Sequence, residues 1–152
     1  IDPYVMLSGK SGDLRWEAGL RYEATDVTIT DRTVPLAQQV TESDYGELLP
    51  SFSLRWRLND TDRVIFSAAR TVRRPNFDRL SPALLEEELG DSDFVGNPDL
   101  KPETAVGFDL GFERRLGRRG VVGINAFYRD ITDLIEEVNT GLEGSEGPGT
   151  FI

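Results

Sequence analysis

One stretch decides how this chain folds: Gly96-Asn97-Pro98-Asp99-Leu100-Lys101-Pro102-Glu103, followed directly by Thr104-Ala105-Val106-Gly107-Phe108-Asp109-Leu110-Gly111-Phe112-Glu113. Its two prolines keep the first half extended, because proline fixes its own φ and disfavours helical backbone in the residue before it. The second half alternates apolar and polar residues, the pattern of a β-strand with one apolar and one polar face. The stretch therefore predicts a turn-rich segment that leads into an antiparallel strand.

The same alternation recurs along the chain. It covers residues 13–29, 47–58, 63–71, 104–116 and 121–131, and Tyr4–Leu7 has the composition of the end of an earlier strand. These runs exceed the roughly 5–6 residues of an ordinary strand and suit the about 9–11 residues of a tilted membrane-spanning strand. We therefore predict an all-β fold, an antiparallel meander sheet that is a fragment of a large transmembrane β-barrel.

The connections between these strands alternate in length. Short turns are predicted at 8–12, 59–62 and 117–120, and long loops at 30–46, 72–103 and 136–152. Short turns at one end and long loops at the other are typical of an outer-membrane barrel. Residues 1–152 are thus predicted to be one partial barrel domain of about five to six strands. The start, Ile1-Asp2-Pro3, carries no signal peptide, so we expect a piece of a longer protein.

The charge and composition exclude several functions. The net charge of −10 lies in the three long loops and disfavours nucleic acid as a partner. The chain has no histidine and no cysteine, which removes Ser-His-Asp and Cys-His catalysis and any histidine- or cysteine-based metal site. Paired carboxylates could serve a glycosidase, but nothing in the sequence brings two of them together in a pocket. We therefore predict no enzymatic activity and no cofactor.

One face of the predicted sheet is apolar and is expected to contact lipid. Its large side chains are Trp16, Leu20, Phe52, Trp56, Phe66, Phe108 and Phe112. Both tryptophans fall near the short-turn ends of their strands, where an interfacial aromatic girdle belongs. The alternative is that they are core residues of a soluble β-sandwich. Gly107, Gly111 and Gly123 fall on the polar face, where they either leave room for a plug or relieve crowding within the sheet.

The start of loop 72–103 holds the best candidates for ligand contact. They are Arg73, Arg74, Asn76, Phe77 and Asp78, which combine bidentate donors with a stacking face and would suit an anionic or sugar ligand. The alternative is that Arg74 and Asp78 pin the loop to the barrel rim.

Other parts of the long loops have simpler interpretations. The acidic residues Glu86, Glu87, Glu88, Asp91, Asp93 and Asp99 lack the spacing of a calcium loop and indicate a solvated surface, so no metal site is predicted. Residues 81–90 are predicted to form a short helix, with Ser81 as its N-cap and Gly90 at its end. Residues 141–149, rich in glycine, are predicted to be mobile.

Residues 45–138 resemble the C-terminal barrel region of TonB-dependent outer-membrane receptors. The resemblance depends on four strings: the run Arg70-Thr71-Val72-Arg73-Arg74-Pro75-Asn76-Phe77-Asp78-Arg79-Leu80-Ser81-Pro82, the string Gly96–Glu103, Asp109-Leu110-Gly111-Phe112-Glu113, and Asn125-Ala126-Phe127-Tyr128-Arg129-Asp130-Ile131. Residues 14–25 look like an earlier strand of the same barrel. The style of the Arg74-Pro75-Asn76-Phe77 loop is most similar to the receptor subgroup of Caulobacter- and Xanthomonas-type bacteria.

The resemblance implies a barrel of about 22 strands with a plugged lumen, in the outer membrane of a Gram-negative bacterium. Such receptors bind and import a scarce nutrient (siderophore-iron, haem, cobalamin or carbohydrate) with energy delivered by TonB. The implied partners are outer-membrane lipid, a small nutrient ligand, and a plug domain and TonB via the parent protein. No plug domain and no TonB box are visible in these residues, so the fragment alone is not expected to transport. The alternative function is a soluble β-sandwich that serves as a surface binding or adhesion module.

Isolated, the fragment is expected to self-associate. Five strands cannot close a barrel, so two sheet edges and the apolar face would be exposed.

Overall fold

The computed structural model describes residues 2–30, 40–85, 93–141, 143–144 and 147–151. In chain order the elements are β1 (Tyr4–Ser11), β2 (Leu14–Thr30), β3 (Val40–Arg57), β4 (Asp62–Arg73), α1 (Phe77–Leu80), β5 (Leu84–Leu85), β6 (Phe94–Val95), β7 (Glu103–Leu116), β8 (Gly120–Thr132), β9 (Glu143–Gly144) and β10 (Gly147–Phe151). Six of them form one sheet in the order β1-β2-β3-β4-β7-β8, and β5-β6 and β9-β10 form two small antiparallel pairs. The predicted all-β antiparallel meander is confirmed. Within the described residues no helix is long and apolar enough to cross a membrane.

By their contacts the residues group into two compact units. One comprises residues 1–24, 46–72 and 104–132, which include most of the six-stranded sheet. The other comprises residues 25–45, 73–103 and 133–152, which include α1 and both small pairs.

Several segments differ from the sequence prediction. The turn predicted at 8–12 is shorter, because β1 continues to Ser11 and β2 begins at Leu14. Strand β3 begins at Val40 and β2 continues to Thr30, so the predicted loop 30–46 is too long, and residues 31–39 lie outside the described residues. The helix predicted over 81–90 is wrong in its described part, because Ser81 is the C-cap of α1 and Leu84–Leu85 is a strand. Residues 86–90 lie outside the described part. The segment 141–149, whose mobility stays a prediction, includes β9 and the first residues of β10.

The register of each hairpin places the predicted lipid-facing side chains on one face. In β1-β2, Trp16 lies opposite Gly9 and Leu20 opposite Val5. In β3-β4 the pairs are Phe52 with Ala68, Leu54 with Phe66 and Trp56 with Val64, and in β7-β8 they are Phe108 with Tyr128 and Phe112 with Ile124. Cross-strand partners point to the same side of a sheet, so each hairpin has one apolar and one polar face. We call these the apolar face and the polar face.

Aromatic rings cover glycines on the apolar face. A Cβ on Gly9 would lie 2.6 Å from the indole of Trp16, and a Cβ on Gly46 would collide with the ring and hydroxyl of Tyr22. A large ring that packs over a glycine on the neighbouring strand replaces the side-chain contact that the glycine lacks. These contacts also show that the apolar side chains of β2 and β3 lie on the same side.

Ion pairs connect neighbouring segments of the sheet on the polar face. The Arg57 guanidinium bonds Asp13, and Arg63 Nε donates to Glu113 Oε2 over 2.6 Å. Arg129 Nη2 donates to Asp109 Oδ2 over 2.8 Å. Exposed pairs of this kind contribute little stability each, but they fix which strands are neighbours.

Gly107 makes room for one of these ion pairs. A Cβ at Gly107 would lie 2.9 Å from the Arg129 side chain, which crosses the glycine to donate to the carbonyl of Phe108. Of the two interpretations of the polar-face glycines, the structure favours relief of crowding at Gly107. The space above Gly107 is filled by the Arg129 side chain of the same sheet.

Both faces of the sheet are largely uncovered. Leu80, which is 6% exposed and lies in α1, is the one buried hydrophobic residue among those described. Large apolar side chains remain open to solvent, including Leu110 at 53% and Ile124 at 73%. A soluble β-sandwich buries such a face against a second sheet. The described residues offer no second large sheet, so the sandwich alternative is not supported.

Candidate functional site

The five residues predicted to contact ligand lie along the end of β4 and the start of α1. Arg73 is the last residue of β4, Asn76 is the N-cap of α1, and Phe77 and Asp78 form its first turn. The Phe77 ring is 82% exposed and the Arg73 side chain 68% exposed. Arg74 is exposed as well. The structure therefore brings the five together in one exposed segment, where their role as ligand contacts stays a prediction.

The backbone of this segment forms a tight turn. The Asn76 carbonyl accepts from the Arg79 N–H over 3.1 Å, and the Asp78 carbonyl accepts from the Ser81 N–H over 3.3 Å. The single turn of helix ends with Leu80 buried. A buried apolar anchor at the end of α1 positions Phe77 with its ring open to solvent.

Arg79 is a site residue that the sequence reasoning did not select. Its Nη2 donates to Glu137 Oε1 over 2.6 Å, so it joins α1 to the segment after β8. Its carbonyl accepts from the Asn97 N–H over 2.7 Å, which joins α1 to the segment after β6. The residue lies in the motif that carries the family resemblance, but nothing local in the sequence identifies either partner.

Glu103, the residue that ends the opening turn-rich string, anchors two neighbours. Its Oε2 lies 3.8 Å from Arg73 Nη1 and accepts from the Ile135 N–H over 3.4 Å. Its side chain is only 12% exposed. The first residue of β7 therefore holds both the end of β4 and the segment that follows β8.

A cavity of about 580 Å³ lies between these segments. It is lined by Arg79, Asp93, Phe94, Val95, Gly96, Asn97, Leu100 and residues 135–140. Its volume falls within the range of small-molecule sites, and its wall combines apolar side chains with a few polar groups, as such sites do. None of the five predicted ligand contacts lines this cavity.

The wall of the cavity carries several charged groups. The charge of Arg79 is matched by its partner Glu137, and Asp93 and Glu136 add two further carboxylates to the wall. Asp93 is 7% exposed. The amides of Asn97 and Asn139 add neutral donors and acceptors to the wall.

The described residues contain no group of three or more acidic, histidine or cysteine side chains that could hold a metal ion. Of the acidic residues weighed for calcium, Glu86, Glu87, Glu88 and Asp91 lie outside the described residues. Asp99 is exposed in the turn after Asn97, whose Oδ1 accepts from the Asp99 N–H over 2.9 Å. That bond is a turn interaction.

Comparison with protein families identifies a family to which most of the chain is similar. A sequence family described as TonB dependent receptor-like, beta-barrel matches residues 3–147. The match takes in all six strands of the large sheet, α1 and the segments that line the cavity.

Proposed function

Because this chain belongs to the TonB-dependent receptor β-barrel family, we propose that it forms wall strands of an outer-membrane receptor that binds a scarce nutrient at its long-loop end and imports it. The observation that carries this proposal is the uncovered apolar face of a meander sheet whose short turns lie at one end. The strands β2, β3, β4, β7 and β8, which carry this face, are 12 to 18 residues long. These exceed the length needed to cross a bilayer at a tilt.

The apolar face supports contact with lipid. Leu20, Trp56 and Phe108 are 40%, 48% and 43% exposed. Exposure of such large apolar side chains to water is unfavourable. Trp16 and Phe112 are half-buried, and the Phe52 and Phe66 rings pack with centroids 6.2 Å apart. In the proposed arrangement hydrocarbon covers these seven side chains. The polar face, with its ion pairs, then faces the barrel lumen.

The nutrient ligand is proposed to meet two surfaces. The exposed segment from Arg73 to Asp78 supplies cationic and aromatic contacts, and the cavity beside Arg79 supplies neutral and acidic ones. The chain is proposed to belong to the Caulobacter- and Xanthomonas-type subgroup on the strength of its Arg74-Pro75-Asn76-Phe77 string. In the parent protein a plug domain and TonB complete the transport machinery. The family consists of receptors and transporters, which agrees with the prediction of a non-enzymatic role.

The proposal is tested on the complete protein in which this chain occurs. We expect it to sediment with the outer membrane, to need detergent for extraction, and to migrate differently on gels before and after boiling. Its deletion is expected to slow growth when one nutrient among ferric siderophores, haem, cobalamin and carbohydrates is limiting. Recovery of the protein in the soluble fraction would refute the barrel wall. Unimpaired growth on every one of these nutrients would refute the import function alone.

The isolated chain, residues 1–152, is proposed to self-associate. Strands β1 and β8 are the two edges of the sheet, and β8 is exposed along nearly its whole length. Unpaired edges and an uncovered apolar face both favour association in water. We expect multi-angle light scattering without detergent to give a mass well above the 17.0 kDa of one chain. A monodisperse monomer would contradict the proposal.

A further inference from the structure

Four arginines cluster where β7 turns into β8: Arg114, Arg115, Arg118 and Arg119, which we call the turn arginines. All four are exposed. Gly117 adopts a φ of +61°, a conformation that glycine tolerates best, and this lets a three-residue turn reverse the chain. The tight turn holds the positive charges close together at the short-turn end of the sheet.

One of the four charges is already neutralised. Arg114 donates through Nε to Asp62 Oδ1 over 2.6 Å and through Nη2 to Asp62 Oδ2 over 2.7 Å. Asp62 is 6% exposed and also accepts from Asn59 Nδ2 over 2.9 Å. In contrast, no side-chain hydrogen bond or ion pair engages Arg115, Arg118 or Arg119 within residues 2–30, 40–85 and 93–141. The cluster therefore keeps an unmatched positive charge.

The apolar face continues directly up to this cluster. Register places Val122 opposite Arg114, and Ile124 opposite Phe112, so these side chains share one side of the hairpin. Val122 is 50% exposed, Ile124 73% and Leu116 55%. A ligand that matches this surface carries a negative group at one end and hydrocarbon at the other. A small soluble anion would leave the apolar part uncovered.

We propose that Arg118 and Arg119, the two turn arginines outside both strands, bind the phosphate of an anionic phospholipid whose acyl chains lie along the apolar face beside Val122 and Ile124. The inference rests on the proposed membrane location, and it adds a lipid-specific site to it. Guanidinium groups suit this role because they bind phosphate oxygens through two parallel hydrogen bonds. A zwitterionic lipid fits less well, because its own cation would lie near the arginines.

Basic clusters at the boundary of a membrane-spanning segment attract anionic lipids, and each arginine near the surface contributes about fivefold in affinity. Arg118 and Arg119 are the residues to test, since they lie in the turn outside both strands. Their replacement leaves the Arg114–Asp62 pair and the β7-β8 register in place. Loss of both is expected to weaken binding of an anionic lipid about 25-fold.

The experiment uses the complete receptor, purified in detergent and stripped of bound lipid. Native mass spectrometry measures the binding of short-chain phosphatidylglycerol and of phosphatidylcholine with identical acyl chains. We expect the unmodified receptor to prefer phosphatidylglycerol, and R118Q/R119Q to lose that preference while its affinity for phosphatidylcholine is unchanged. R118K/R119K keeps the charge and is expected to retain part of the preference. The matched control is R15Q/R55Q, which removes two exposed arginines from the polar face and is expected to change neither affinity.

Several results would overturn the inference. Three results would each exclude a specific site at the turn: equal affinity of the unmodified receptor for the two lipids, an unchanged lipid preference in R118Q/R119Q, or an equal loss of that preference in R15Q/R55Q. If glycerol phosphate displaced the lipid at matching concentrations, the turn would be an anion site without lipid selectivity, and an acidic protein segment would then be the better occupant. Heat-modifiable gel mobility, measured on the same preparations, tests the membrane barrel separately from the lipid site.

Discussion

An arginine in place of Ala126 should destabilise the membrane-inserted barrel by about 2–4 kcal/mol, whereas an arginine in place of the adjacent Asn125 should be tolerated. Ala126 lies at the middle of β8 on the apolar face, opposite Leu110, and Asn125 lies on the polar face, opposite Gly111. Both side chains are exposed in the structure. The two substitutions add the same charge to neighbouring positions of one strand, so their difference reports which face meets lipid.

The expected difference is large because hydrocarbon does not solvate a guanidinium group. An arginine on the lipid face near the bilayer midplane destabilises an outer-membrane barrel by about 2–4 kcal/mol, and the cost falls to about 0–1 kcal/mol near the interfaces. Since Ala126 contributes only a methyl group, loss of packing adds little to the effect. The Asn125 substitution places its charge in the polar lumen, beside the ion pairs of the polar face.

Urea titration of the complete receptor refolded into lipid vesicles measures this effect, with the heat-modifiable gel shift as the test of folding. A third variant, Ala126→Leu, changes the size of the side chain without adding charge and is expected to fold at least as well as the unmodified protein. Equal destabilisation by Ala126→Arg and Asn125→Arg would show that the two faces are not separated between lipid and lumen. Selective damage by Asn125→Arg would show that they are reversed.

The sequence predicts the strands well where alternation of apolar and polar residues is itself the signal. Strands β4, β7 and β8 lie within two residues of their predicted bounds, because Val64, Phe108 and Ile124 and their neighbours repeat with a period of two. The start of β3 is not predicted, because the alternation is absent there. Residues 41–44 are all polar, so nothing in this run distinguishes a strand from a loop.

Local propensity also fails where a partner distant in sequence decides the structure. Ser81, Pro82 and Gly90 have the composition of helix termini, yet Leu84–Leu85 pairs with Phe94–Val95 as a strand. The ion pair between Arg79 and Glu137 joins two loops that the intervening strands bring together. Such contacts depend on the topology of the sheet, and no pattern of spacing in the sequence encodes them.

The second large effect is expected at Gly96, the first residue of the string that predicts the fold. Gly96 is buried, and its N–H donates to the Ser81 carbonyl over 2.9 Å. A Cβ at this position would lie 2.5 Å from the Ser81 carbonyl oxygen and 2.6 Å from the carbonyl of Arg79. Both obstacles are backbone atoms, which cannot rotate aside as a flexible side chain does. We therefore expect Gly96→Ala to separate the segment after β6 from the end of α1.

The cost of such overpacking is typically about 1–3 kcal/mol. The neighbouring bond from the Asn97 N–H to the Arg79 carbonyl, 2.7 Å long, would be weakened in the same step. Local opening would then be about 5- to 150-fold more frequent, since each 1.4 kcal/mol changes an equilibrium constant tenfold. The cavity lined by Arg79, Gly96 and Asn97 would lose its shape, so any ligand held there would bind more weakly.

Amide hydrogen exchange, followed by mass spectrometry of the complete receptor, measures this opening. Peptides that cover residues 79–81 and 94–97 are expected to exchange faster in Gly96→Ala, with peptides from β8 as the internal reference. Lys101→Ala is the matched control, because Lys101 is exposed in the same segment and makes no side-chain hydrogen bond or ion pair with the described part of the chain. Unchanged exchange in Gly96→Ala would contradict the close approach of these two backbones. Equal acceleration in Lys101→Ala would show that the segment is sensitive to any substitution, and that the missing Cβ of Gly96 is not what permits the contact.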